Sequence, residues 1–181
     1  MTGVQTCALP ICRELTVSVN DLEREIRRLV RQLAPTLLEL PGCGALSGAK
    51  IVGEVAGATR FRSKASFARW NGTAPIPVWS GNESRFRLNR GGNRQVNAAL
   101  HRIAITQWRG EGPGHVYMAH RLASGDHKTE ALRLLRRRLS DEVFRRLRAD
   151  EQRRHDDARQ TTLDRLDRRE PPLPGLALAA G

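Results

Sequence analysis

Leu15, Val19, Leu22, Ile26, Leu29 and Leu33 follow one another at 4-3-4-3-4 spacing. That 3.5-residue period places all six on one seam of a helix and is incompatible with a strand, whose apolar face repeats every second residue. Glu23, Arg24, Glu25, Arg27, Arg28 and Arg31 cover the rest of the surface, so residues 12–36 are expected to form a coiled-coil-like helix. Its seam has two outlets: a second copy of the chain, through residues 13–34, or the chain's own domain. Pro35 bends or restarts the helix, because a proline ring clashes with the preceding turn and donates no hydrogen bond. Residues 1–11 are set apart. They read as the translation of a common sequencing adapter, so the gene proper is expected to enter near Cys12 with its upstream part missing.

Residues 37–57, LLELPGCGALSGAKIVGEVAG, run from an apolar helix end through Pro41-Gly42-Cys43-Gly44 into a second helix. This is the pattern of a helix-hairpin-helix. Gly42 and Gly44 permit a tight turn and a close backbone approach by a partner. The second helix then presents free N–H groups and its positive end to a phosphate, with Lys50 as an added cation. An ordinary αα-hairpin would use the same glycines for the turn alone.

Beyond it, Phe61, Phe67 and Trp70 read as core, since aromatics dominate small cores. Residues 71–93 hold Pro75, Pro77 and several glycines and are expected to form a basic loop or short hairpin. Helical periodicity returns over 94–109, with Asn93 and Arg94 capping and starting the helix. It resumes over 117–122 and over about 129–149, where Leu132, Leu135, Leu139, Val143 and Leu147 point inward behind an arginine-rich face. Residues 37–150 thus make one domain and 151–181 a charged, disordered tail. The fold class is mainly α: a lead helix, a helix-hairpin-helix, a basic loop and closing helices.

Thirty-one Lys and Arg face nineteen Asp and Glu, a net charge of +12. Such an excess favours a polyanion, because each neutralised phosphate releases counterions. Aromatic residues are only 4%, too few for platforms that stack single-stranded bases. No apolar run reaches the roughly 18 residues that span a bilayer, so no membrane partner is expected. Cys7, Cys12 and Cys43 show no metal spacing and their odd number does not suggest a disulfide scaffold. His101, His115, His120 and His127 fit no zinc motif, and there is no phosphate-binding loop of the ATPase kind. A cytoplasmic location is the expected setting.

Ser80 precedes Gly81 in a stretch that also carries Arg85, Arg87, Arg90 and Arg94. A serine attacks phosphorus only when its proton is removed and charge on the non-bridging oxygens is neutralised, which guanidinium forks do well. On chemistry alone, Ser-Gly in a loop is more often simply a turn.

The order PGCG at 41–44, RFRSKASFARWNG at 60–72, PVWSG at 77–81 and GGNRQVNAALHRIA at 91–104 resembles the C-terminal domain of transposases of the insertion-sequence 110/116/902 family. Trp79 departs from the smaller or more polar residue common there. The resemblance implies that Ser80 is the nucleophile that joins covalently to DNA. It also implies DNA transposition, oligomers formed through the lead helix, and a structured guide RNA as a further partner. The DNA/RNA contacts expected are Gly42, Gly44, Lys50, Arg85, Arg87, Arg90, Asn93 and Arg94. In that family a separate N-terminal domain resembling a Holliday-junction resolvase binds Mg2+ through four acidic residues. No such acidic cluster is evident here, so no cofactor is expected in this fragment, which should bind nucleic acid without cutting it. Two rivals stand beside this reading: a non-catalytic helix-hairpin-helix DNA-binding module, and a helical assembly domain with a merely solvated basic surface.

Overall fold

The computed structural model describes residues 5–80, 83–87 and 89–167. In chain order these form α1 (Gln5–Leu33), α2 (Pro35–Leu38), α3 (Ala45–Val55) and α4 (Lys64–Trp70), then the ribbon strands β1 (Ile76–Ser80) and β2 (Glu83–Arg87). The closing helices are α5 (Arg94–Arg109), α6 (Pro113–Ala123) and α7 (Lys128–Asp167). The fold is mainly α. None of the described helices is long and apolar enough to cross a membrane.

The core lies where α5 meets α3, α6 and α7. Val96, Ala99, Leu100, Ile103 and Ala104 of α5 are fully buried, together with Ile51 of α3, Met118 of α6 and Val143 of α7. Each Leu or Ile so buried contributes about 1.5–3 kcal/mol. Phe61 and Phe67 are core as expected and Trp70 packs, partly buried, against them; the Phe61 and Phe67 rings meet edge to face at 5.2 Å and Phe144 of α7 stacks on Phe67 at 5.4 Å. Arg60 lies over both Phe61 and Trp70, at 4.6 and 4.8 Å from their ring centres, and closes the cluster from outside.

α1 breaks at Ala34, before Pro35, as proline at the first position of a new helix requires. Only its last turns dock on the domain. Val30 is buried against Gly48 of α3, where an added Cβ would stand 3.1 Å from Val30 Cγ1. The seam residues Leu15, Val19 and Leu22 are about 60% exposed (60%, 60% and 63%), so the chain's own domain does not cover them. The helix also takes in residues 5–11, which the sequence reading sets apart.

α7 corrects that reading at the other end. The helix does not stop near Ala149 but continues to Asp167, so residues 151–167 are helical; residues 168–181 lie outside the described part. The reason is at Asp150 and Glu151, where α7 is tied to the rest of the domain. Asp150 is 1% exposed and accepts from the Thr36 hydroxyl at 2.8 Å. Glu151 accepts from the backbone N–H groups of Ala58 and Thr59, both at 2.9 Å. Two carboxylates thus fasten α7 to the start of α2 and to the turn after α3, and helix propagation carries the chain onward from that anchor.

Gly92 has no room for a side chain, since a Cβ there would fall 2.3 Å from the backbone nitrogen of Gly72. Gly53, exposed in α3, has nothing within 4 Å of the same position. Gly92→Ala is therefore expected to destabilise the domain by about 1–3 kcal/mol through overpacking, while Gly53→Ala stabilises it by about 0.5–1 kcal/mol through backbone entropy. Urea midpoints of the two variants check both signs.

Candidate functional site

Within residues 71–93, expected as a loop or short hairpin, Ile76–Ser80 and Glu83–Arg87 pair as an antiparallel ribbon. Ile76 pairs with Arg87, Val78 with Arg85, Trp79 with Ser84 and Ser80 with Glu83. Ser80 and Glu83 are the last pair, leaving a two-residue link, the length hairpins favour. The register puts positions 80, 83, 85 and 87 on one face of the ribbon. The hydroxyl of Ser80 and the guanidinium of Arg85 lie outside the described residues. Trp79 is 75% exposed, and the ribbon packs on no other described element.

The base of the ribbon is held by side-chain amides. Asn71, fully buried at the end of α4, donates to Ser140 Oγ of α7 at 2.8 Å. Its Oδ1 accepts from the Thr73 N–H at 3.0 Å and from the Thr73 hydroxyl at 2.7 Å. Its backbone oxygen accepts from Asn97 Nδ2 of α5 at 2.9 Å. On the return side, Asn89 donates to the Arg69 carbonyl at 2.9 Å, and the Asn93 N–H donates to the Trp70 carbonyl at 2.7 Å. Gly72, at φ +77°, makes the turn out of α4, and Gly92 presses onto it.

Two clefts open beside this base. One, of about 380 Å³, is lined by Arg90, Arg94, Asn97, His101 and Arg136. The other, of about 350 Å³, holds Arg87, Glu130, Arg133 and Arg136. Arg136 belongs to both, and its Nη1 donates to Asn97 Oδ1 at 3.0 Å. Burial, then the neighbouring Arg133 cation, pushes the Arg136 guanidinium below its usual pKa. Burial, then Arg136, likewise pushes the His101 imidazole below the usual histidine value.

Of the sequence-predicted residues, Arg87, Arg90 and Arg94 gather here. Asn93 is beside them, but both its amide atoms are engaged within the chain: Oδ1 accepts from the Val96 N–H at 2.9 Å, and Nδ2 donates to Glu54 at 2.8 Å. It is the cap that starts α5 and sets Arg94. Lys50 reaches the same end of α5, its Nζ donating to Gln95 at 2.7 Å.

Gly42 and Gly44 do not join this group. Gly42, at φ +79°, turns the chain against α5, where a Cβ would meet the Ile103 carbonyl and Thr106 at 3.1 Å. Its close backbone approach is thus to the chain's own helix. Twelve residues separate Arg94 from Thr106, about 18 Å along a helix. Gly44 is different: it is exposed, has nothing within 4 Å, and starts α3 with no side-chain cap.

The segment that holds this turn, the ribbon and α5 is the one that known proteins share. Residues 34–117 match the family described as "Transposase IS116/IS110/IS902 family". The uncharacterized 43.6 kDa protein of insertion element IS110 from Streptomyces coelicolor is 30% identical over 147 residues, 77% of this chain and 36% of the relative. The uncharacterized 44.8 kDa protein of insertion element IS116 from Streptomyces clavuligerus is 29% identical over 133 residues, 72% of this chain and 33% of the relative. The chain belongs to the IS116/IS110/IS902 transposase family. It spans about a third of the length of the curated relatives it matches.

Mg2+ is the ion that the resemblance to this family implies. Among the described residues no group of three or more His, Cys, Asp or Glu is placed to hold a metal ion. The most buried carboxylates, Asp150 and Glu151, are taken up by Thr36, Ala58 and Thr59. These residues do not fit the ion. Of the histidines, His115 Nδ1 lies 2.8 Å from the Trp108 carbonyl, and His101 faces the Arg136 cleft. In the sequence Arg136 is one of several arginines on the outer face of its helix, and no local pattern singles out Asn71, Asn97 or Ser140. The only trace of Asn97 is its place within the GGN-initiated block shared with the family.

His101 is expected to titrate below about 6.5, the ordinary histidine value, and Arg136→Gln to bring it back up. The folded chain then binds fewer protons here than the unfolded one, so this group's contribution to stability is lost as pH falls below the unfolded value. Ring-proton NMR titration of both proteins checks it, and an unchanged value in the variant would remove Arg136 as a cause.

Proposed function

We propose that this chain is the DNA-handling part of a transposase, in which Ser80 is the nucleophile of strand exchange and the arginines at the ribbon's base hold the phosphate backbone. The ribbon carries the reading. Its register sets Ser80 in the last strand pair, on the face that Arg85 and Arg87 share, with Arg90 and Arg94 following at the base. In the step proposed, Ser80 Oγ loses its proton and bonds to phosphorus while a bridging P–O bond breaks. The departing sugar oxygen takes up a proton, and the DNA stays attached to the serine for transfer to a second strand. Guanidinium groups offset the charge that grows on the non-bridging oxygens.

In this reading the Gly42–Gly44 turn works as a helix-hairpin-helix. The uncapped start of α3 offers its first N–H groups to a second phosphate, with Lys50 one turn beyond. A structured guide RNA is the further partner, bound through the same phosphate chemistry. The metal-binding acidic domain belongs to the longer protein. The exposed seam of α1 pairs with a second copy as a coiled coil, which covers Leu15, Val19 and Leu22.

In the full-length protein, Ser80→Ala is expected to abolish covalent joining to DNA, by about a thousandfold or more, with DNA affinity kept. Persistent joining would exclude Ser80 as the nucleophile, leaving the non-catalytic module, which that exposed α3 start favours independently. For the seam, Leu22→Lys is expected to turn an oligomer into a monomer in analytical ultracentrifugation; an unchanged mass would sink the coiled coil.

A further inference from the structure

Seven arginines stand on α7 between Arg133 and Arg148. Four are occupied within the chain. Arg137 pairs with Asp141, Arg145 and Arg146 share Glu142, and Arg138 lies 4.6 Å over the Tyr117 ring. Arg136 is of another kind. It is half-buried, and it pairs with no carboxylate among the described residues. Of its five N–H donors, the described structure gives it one bond, to Asn97 Oδ1 at 3.0 Å, and its buried Nε has no partner. A cation removed from water without a counter-charge is costly. An anion in the adjoining cleft would offset that cost.

The surroundings select the anion. The cleft beside Arg136 also carries Arg90, Arg94 and His101, and no carboxylate lines it. The second cleft adds Arg133 and Arg87, with Glu130 as its one acidic residue. Arg136 is also held in place. Asn97 Nδ2 must face the Asn71 carbonyl, which only accepts, so Asn97 Oδ1 must face Arg136. Asn71 is fixed in turn by Ser140, one helical turn beyond Arg136 on α7. A fixed guanidinium fork with two exposed arginines beside it matches the tetrahedral oxygens of phosphate better than a planar carboxylate of a folded protein surface, because each fork takes a separate oxygen.

We infer that Arg136, with Arg90 and Arg94 at its sides, forms a seat for one phosphate group of a nucleic-acid strand passing the base of the ribbon. This rests on the reading of the chain as a nucleic-acid binder and adds the residue at the centre of that contact. The seat fixes one phosphate relative to the ribbon, so the strand's position against Ser80 is set from α7. Arg136 is a binding and positioning residue.

The test uses the 181-residue chain, a short labelled DNA duplex and salt titration of binding by fluorescence anisotropy. Arg136→Gln is expected to weaken binding about tenfold and to lower the salt slope by about one. Arg145→Gln, which removes an exposed arginine that lines neither cleft, is expected to change neither. Should Arg136→Gln fail to fold, Arg136→Lys keeps one charge and loses the fork, and is expected to weaken binding with the slope retained. Equal losses in the Arg136 and Arg145 variants, or none in the former, overturn the seat while leaving nucleic-acid binding in place. Absence of salt-dependent binding by the unaltered chain overturns the wider reading instead. Titration with inorganic phosphate, followed at the Arg136 Nε–H NMR signal, separates the sources. A shift with phosphate but no duplex binding gives a free-phosphate site and overturns the strand contact; a shift with both supports it.

Discussion

A single buried amide ties the functional end of this domain together. Asn71 closes α4, donates to Ser140 on α7, accepts from Thr73 at the start of the ribbon, and takes Asn97 of α5 on its backbone oxygen. With zero exposure it has no water to fall back on, so each of these groups would otherwise carry an unmet polar atom. The ribbon, which packs on no other described element, has its direction set at this junction and at the Gly72–Gly92 contact beside it. Arg136 hangs from the same network through Asn97.

The charges of the chain divide by what surrounds them. On α7, Asp150 and Glu151 are spent on backbone and hydroxyl donors of α2 and of the turn after α3. Arg146 is spent on the Thr36 carbonyl and on Glu142. These groups hold the helix to the domain. The exposed cations at the ribbon's base serve nothing in the fold that the described contacts reveal. A basic excess of +12 is therefore not an even coat: part of it is structural, and part converges on one side of the ribbon.

Two parts reach beyond the packed body. α1 carries an apolar seam, Leu15, Val19 and Leu22, with no cover from its own domain, and the ribbon carries Ser80 at its last pair and the exposed Trp79. A helix with an open seam and a ribbon with a basic base suit a chain that completes itself against other molecules, as the proposed transposase role demands.

The 3.5-residue period of α1, the glycines and prolines that interrupt the helices, and the family blocks from Pro41 to Ala104 were legible in order along the chain, because each is a local property of spacing or of backbone freedom. So were Phe61 and Phe67 as core, and Arg87, Arg90 and Arg94 as a basic cluster. Other charged and amide residues, among them Asn71, Asn97 and Glu151, were not legible, because their role depends on partners far away in sequence. Glu151 reads as the beginning of a solvated tail until the N–H groups of Ala58 and Thr59 come within hydrogen-bond distance. Gly42 and Gly44 look alike in sequence, and only the packing of α5 decides that the first is closed by the chain itself and the second is open. Arg136 was one arginine among seven on its helix. Periodicity tells which side of a helix is apolar, but only the tertiary structure decides which polar groups lose their water, and with it which of them need a partner.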